Sequence, residues 1–81
     1  MYIPLESQDE ASAQELEDAL EARKLEVLEH PQYWNAYDSL AEVYLALGEK
    51  ELAIQNYQKS IDLNPENQNA VEHLEKLKGQ N

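Results

Sequence analysis

The sequence predicts an all-α protein built as a stack of about four antiparallel helices, and three observations support this fold class. The chain of 81 residues is rich in Ala, Leu, Glu, Gln and Lys, which favour helices. Apolar residues recur at helical spacing in four segments. Single glycine or proline residues fall between those segments. The length suits one small domain.

Each of the four segments places its apolar residues three or four positions apart, so each has one side that suits a core. The first helix is expected to end before Pro31 and the third before Pro65, because proline lacks an N–H group and fixes φ. Gly48 separates the second helix from the third, since glycine readily takes the left-handed conformation that ends a helix. Residues 1–9, which include the apolar stretch YIPL, are expected to be a frayed terminus. The predicted helices span residues 10–29, 33–47, 49–63 and 67–78.

A 34-residue offset relates the first half of the pattern to the second. Pro31 and Pro65 are separated by this distance. The same offset pairs Ala19 with Ala53, Leu20 with Ile54, Val27 with Ile61, Ala36 with Ala70, and Leu40 with Leu74. A period of 34 residues with two helices per unit is typical of helical-repeat proteins.

Residues 34–67 resemble one complete tetratricopeptide repeat. Two positions depart from the family pattern, because Ala41 stands where glycine is commonest and Ser60 where alanine is expected. Both residues are small, so close helix contact is preserved. The resemblance implies a right-handed stack of helix pairs. The residues that match the family pattern are Tyr37, Leu40, Tyr44, Gly48, Ala53, Tyr57, Leu63 and Pro65.

The segments on either side of residues 34–67 resemble half-repeats of a single domain that covers residues 1–81. Residues 10–31 correspond to a capping helix before the full repeat, and residues 68–79 to a capping helix after it. Charged residues replace core residues there. Terminal repeats must solvate their outer faces, so these charges indicate a stack that stops at both ends. The replacements are Arg23 for Tyr57, Glu75 for Ala41 and Lys78 for Tyr44.

The composition is strongly acidic, with 17 Asp and Glu against 6 Lys and Arg, for a net charge of −11. Such a surface repels nucleic acid and anionic membranes, so neither is expected as a partner. The acidity is interpreted as a solvated helix face, with attraction of a basic partner as the alternative. The sequence has no cysteine, no apolar run of membrane-spanning length and no secretory signal. A soluble cytoplasmic protein is therefore expected.

No catalytic constellation is evident in the sequence. His30 and His73 lack a partner His or Cys at ligand spacing, so no metal site is predicted, and no cofactor is expected. No nucleophile motif or phosphate-binding loop is present. The sequence therefore predicts a non-catalytic protein, with a metal-dependent enzyme as a distant alternative.

The resemblance also implies a binding surface, because the first helix of each unit lines a concave groove in this family. In chaperone-binding members, basic residues and asparagines in this groove clamp a peptide's C-terminal carboxylate, which Asp38 and Glu42 would repel. The predicted partner is therefore another protein or peptide, and a neutral or basic one. By register, the groove positions are Asn35, Asp38, Glu42, Leu45 and Asn69.

Three alternatives stay open from the sequence. The segment from Tyr33 onward is similar to repeat-bearing tails of some bacterial hydrolases, which suggests an excised tail of a larger enzyme. The helix-friendly composition also fits an engineered scaffold without a natural ligand. One full unit and two halves are fewer than the three or so units that usually bury a continuous core. The third alternative is therefore a homodimer formed through Leu25, Leu28 and the YIPL stretch.

Overall fold

The computed structural model describes the backbone of residues 5–79 and the side chains of residues 13–79. Within these residues the regular structure is entirely α-helical, which confirms the predicted all-α class. Consecutive helices pack against each other in chain order, as in a stack of antiparallel helices. The helices are α1 (Leu5–Glu29), α2 (Trp34–Ala46), α3 (Lys50–Leu63) and α4 (Gln68–Gly79).

The helix bounds differ from the predicted ones mainly at the start of α1. This helix begins at Leu5 instead of position 10, so residues 5–9 have helical backbone. The segment between Leu5 and Glu15 contains neither glycine nor proline, and nothing in it interrupts a helix. Residues 1–4 lie outside the described residues, and for them the frayed terminus stays a prediction. The other predicted ends agree with the observed ones to within about one residue.

The turn between α2 and α3 depends on Gly48, whose φ of +83° lies in the left-handed region. The N–H of Gly48 donates to the carbonyl of Leu45 at 3.0 Å, and the N–H of Glu49 donates to that of Tyr44 at 2.8 Å. This pair of bonds is the Schellman arrangement, which satisfies carbonyl groups that a helix end leaves unpaired. Gly48 therefore ends α2 and lets α3 fold back against it.

We expect Gly48→Ala to lower the free energy of unfolding by about 1 kcal/mol, because an alanine at positive φ is strained. Crowding would not add to this cost, since a Cβ at position 48 meets no atom within 4 Å. Chemical unfolding followed by circular dichroism measures the change. Gly79→Ala is the matched control, because its added Cβ also meets nothing within 4 Å and its φ is not positive. Equal losses in the two variants would contradict this explanation.

The 34-residue repeat is visible in the backbone geometry of the two turns that contain proline. At the end of α1, the N–H of His30 donates to Glu26 O at 2.8 Å and that of Tyr33 to His30 O at 3.0 Å. At the end of α3 the same two bonds recur 34 residues later and with the same lengths. They join Asn64 N to Ser60 O at 2.8 Å and Asn67 N to Asn64 O at 3.0 Å.

The buried core lies between α2, α3 and α4, and α1 covers one side of it. Small residues allow close approach of the helices, since Ala41, Ala53 and Ala70 are all 0% exposed. Leu20 and Val27 of α1 are only half-buried and pack at the edge of this core. The core residues are Leu40, Ala41, Tyr44, Ala53, Tyr57, Ala70, Leu74 and Leu77.

Candidate functional site

The five residues predicted to line a groove differ in their accessibility. Asn35 and Glu42 of α2 are exposed, as is Asn69 of α4. Leu45 is half-buried and packs against the core. Asp38 is only 6% exposed, so it supports this surface from beneath instead of facing solvent. Three of the five side chains are therefore freely accessible to a partner.

Asp38 is buried because a polar network joins α2 to the start of α4. The side-chain amide of Asn67 donates to Asp38 Oδ2 at 3.0 Å and to Ser60 Oγ at 2.9 Å. Asn67 Oδ1 accepts a bond from the backbone N–H of Ala70 at 3.3 Å, as the cap of a helix N-terminus does. Asn67 thus contacts one side chain from each of α2 and α3 and also caps α4.

Two polar atoms beside this network have no hydrogen-bond partner among the described residues, namely Asp38 Oδ1 and the hydroxyl of Tyr57. Tyr57 is 0% exposed, and its ring stacks on that of His73 with the centroids 5.1 Å apart. Burial raises the pKa of the Tyr57 hydroxyl, and the negative charges of Glu42 and Asp38 raise it further. The hydroxyl therefore stays protonated at neutral pH, which does not suit a general base.

Two open clefts lie away from the five predicted residues. The larger, of about 510 Å³, lies between α1 and the α2–α3 turn. Its apolar lining comes from Leu20, Tyr44, Leu47 and Leu52, and its charged lining from Glu17, Glu21, Lys24 and Glu49. The smaller, of about 420 Å³, is formed by residues 29–33 of the α1–α2 connection. No sequence pattern predicted either cleft, because both depend on how α1 lies against the full repeat.

Neither a metal-binding cluster nor a membrane-spanning helix is found in the part of the chain that the structure describes. No group of three or more His, Cys, Asp or Glu side chains there is arranged to hold a metal ion. No helix in the same part of the chain is both long and apolar enough to span a bilayer.

The stacked helices and the proline turns that recur 34 residues apart give this chain the architecture of a helical-repeat protein. Residues 34–67 match the family model of the tetratricopeptide repeat. These residues, which form α2, α3 and the turns after each, are therefore a tetratricopeptide repeat, as the sequence resemblance predicted. Such repeats generally mediate protein–protein interactions. No curated protein matches the chain.

Sequence reasoning missed Asn67 as the residue that organises this surface. A weak signal was available, because asparagine at the start of a predicted helix is a favoured capping residue. Its bond to Asp38 joins positions that are 29 residues apart. No local pattern predicts such a contact.

Proposed function

We propose that this chain is a non-catalytic interaction module that binds a neutral or basic peptide or partner helix along the exposed face of α2. Asn35, Glu42 and Asn69 supply the accessible polar contacts, and Leu45 supplies apolar contact. Asp38 contributes negative potential from beneath this surface and fixes the position of α2. The observation that carries the proposal is the exposed carboxylate of Glu42, which lies one helical turn after the buried carboxylate of Asp38.

Charge supports a basic or neutral partner over an acidic one. The segment that forms α2 contains Asp38 and Glu42 and no Lys or Arg. The whole chain has a net charge of −11, so its field also repels anions such as nucleic acid. Complementary charge speeds encounter and excludes wrong partners. A partner segment with Lys or Arg among small or apolar residues fits these features.

The absence of catalysis is part of the proposal and has separate support. Catalytic acids and bases need pKa values near the working pH and access to a substrate. Burial and the nearby carboxylates raise the pKa of the Tyr57 hydroxyl, which moves it further from neutrality. The Tyr57 ring lies in the core and stacks on the ring of His73, which leaves the hydroxyl without access to a substrate.

The test is a peptide array followed by affinity measurements on the peptides retained. We expect neutral and basic peptides to bind, and peptides with an acidic C-terminus not to bind. Glu42→Lys should lower the affinity for a basic peptide by about tenfold, because it turns attraction into repulsion at the contact. Asp38→Lys is unsuitable for this test, since burying a lysine at a position that is 6% exposed would unfold the protein.

Glu51→Lys is the matched control, because Glu51 is exposed on α3 and the substitution makes the same change in net charge. We expect it to change the affinity by less than about twofold once long-range charge is screened by salt. Binding of acidic C-termini alone would overturn the proposal. Equal effects of the two substitutions would show that the exposed face of α2 is not the contact.

A further inference from the structure

The larger cleft, of about 510 Å³, lies between α1 and the α2–α3 turn and is distinct from the peptide surface proposed for α2. The accessible residues of that surface, Asn35, Glu42 and Asn69, do not line the cleft. Its volume falls within the range of roughly 300–1,000 Å³ that is usual for clefts that hold ligands. The cleft is therefore a separate candidate binding site.

The α1 wall of the cleft belongs to the side of that helix that faces the full repeat. Leu20 lines the cleft and also packs against the buried core. Glu17 and Lys24 lie one helical turn before and after Leu20, so they share its side of α1. The cleft is thus formed where α1 packs against α2 and α3, and the outer faces of the stack take no part in it.

The floor of the cleft is apolar and only partly covered. Leu20 and Leu47 are half-buried, whereas Tyr44 is 9% exposed. Leu52, in the first turn of α3, is 37% exposed and is one of the large apolar side chains left in contact with water. Covering this surface with another apolar group is favourable. The floor therefore suits an occupant with a large apolar side chain.

The charged lining of the cleft is mainly negative. Three carboxylates, those of Glu17, Glu21 and Glu49, stand against the ammonium of Lys24, which gives the lining a net charge of −2. None of these four side chains forms a hydrogen bond or ion pair with a described residue. Glu49 is the N-cap residue of α3, yet its carboxylate makes no capping bond. The carboxylates therefore remain available to a cation from outside the chain.

The placement of these carboxylates suits a guanidinium better than a metal ion. Among the described residues, no group of three or more His, Cys, Asp or Glu is arranged to hold a metal. Glu17 and Glu21 are one helical turn apart, so their side chains are neighbours. A guanidinium has five donors in a planar fork and can contact both carboxylates, whereas an ammonium is a compact point charge.

We propose that this cleft binds a segment of a partner protein in which an arginine lies next to a large apolar residue such as leucine. The apolar side chain covers Leu20 and Leu52, and the guanidinium contacts Glu17 and Glu21. Apolar walls of low dielectric strengthen the attraction between these charges. The ammonium of Lys24 repels a run of basic residues, so the segment carries a single arginine at this point.

A nuclear magnetic resonance titration of the full chain with short blocked peptides tests the proposal. One peptide carries an adjacent Leu and Arg among alanines, and the other has Glu in place of Arg. We expect the Leu–Arg peptide to shift the backbone amide signals of Leu20, Gly48 and Leu52, and the Leu–Glu peptide to bind about tenfold more weakly. Equal binding of the two peptides would overturn the proposal. Shifts confined to Asn35 and Glu42 would overturn it too, while supporting the peptide surface on α2.

Glu21→Lys should raise the dissociation constant of the Leu–Arg peptide by about tenfold, because it places an ammonium beside the bound guanidinium. Glu15→Lys is the matched control, since Glu15 is exposed on α1 and the substitution makes the same change in net charge. Glu15 lies two positions before Glu17, on the opposite side of the helix. The control should stay within about twofold of the original at physiological salt. Equal losses in the two variants would show that net charge alone is responsible, and would overturn the proposal.

Leu52→Ala tests the apolar part of the contact, and we expect it to raise the dissociation constant by about fivefold. The side chain is partly exposed, and circular dichroism checks that the variant keeps its helices. Unchanged affinity in a folded variant would contradict the assignment of the floor. Shifts of the cleft signals on concentrating the chain without peptide would identify a second copy as the occupant, and would also overturn the proposal.

Discussion

Asn67→Ala is expected to lower the free energy of unfolding by about 3 kcal/mol, a large share of what so small a domain possesses. The substitution removes two donated bonds, to Asp38 and to Ser60, and the cap of α4. The cap alone is worth about 1 kcal/mol. The larger part comes from Asp38. Its Oδ1 has no hydrogen-bond partner among the described residues, and its Oδ2 would then lose the bond from Asn67. Urea unfolding measures the loss.

Asn69→Ala is the control for Asn67→Ala, because Asn69 is an exposed asparagine two positions along α4. We expect it to change stability by less than about 0.5 kcal/mol. A double-mutant cycle with Asp38→Ala separates the hydrogen bond from the cap. The losses in Asn67→Ala and Asp38→Ala should be less than additive when combined, since both break the same bond. Strict additivity would show that Asp38 and Asn67 do not depend on each other.

The fold could be predicted from the sequence because its determinants are local or periodic. Helical spacing identified four helices, and Gly48, Pro31 and Pro65 marked the connections. Gly48 has the positive φ that its position between two strong helix segments predicted. The 34-residue offset then fixed which helices are equivalent. The start of α1 was less predictable, because the sequence before Glu10 offers more than one possible start, such as Pro4 and Ser7.

The candidate site was less predictable, because register gives the face of a helix but not the depth of a side chain. Asn35, Asp38 and Glu42 share one face of α2 by spacing, yet Asp38 is buried while the other two are exposed. The difference arises from Asn67, which reaches Asp38 from the start of α4. Depth therefore depends on where the connection between α3 and α4 places Asn67, and a pattern within α2 does not contain that information.

Tyr57 is an example of a residue whose packing was predictable and whose hydroxyl was not. Its helical spacing and its match to the family pattern predicted a core position, which its 0% exposure confirms. Buried tyrosine hydroxyl groups usually find a partner. The hydroxyl of Tyr57 has none among the described residues. The ring and the hydroxyl should therefore contribute to stability in opposite directions.

Tyr57→Ala is expected to lower the free energy of unfolding by about 4 kcal/mol, because it removes a fully buried ring and leaves a cavity. The ring packs within the core and stacks on His73 with the planes inclined by 14°. Urea unfolding followed by circular dichroism measures this loss. The loss should be accompanied by weaker protection of α4 amides against hydrogen exchange, because Tyr57 joins α4 to the rest of the core.

Tyr57→Phe separates the ring from the hydroxyl, and we expect it to leave stability unchanged or to raise it by about 1 kcal/mol. The substitution keeps the ring and removes a buried polar atom that has no partner among the described residues. Tyr37→Phe is the matched control, since the hydroxyl of Tyr37 donates to Pro31 O at 2.8 Å. That variant should lose about 1 kcal/mol. A similar loss in Tyr57→Phe would show that the Tyr57 hydroxyl has a partner in solution and that the ring alone does not explain its place in the core.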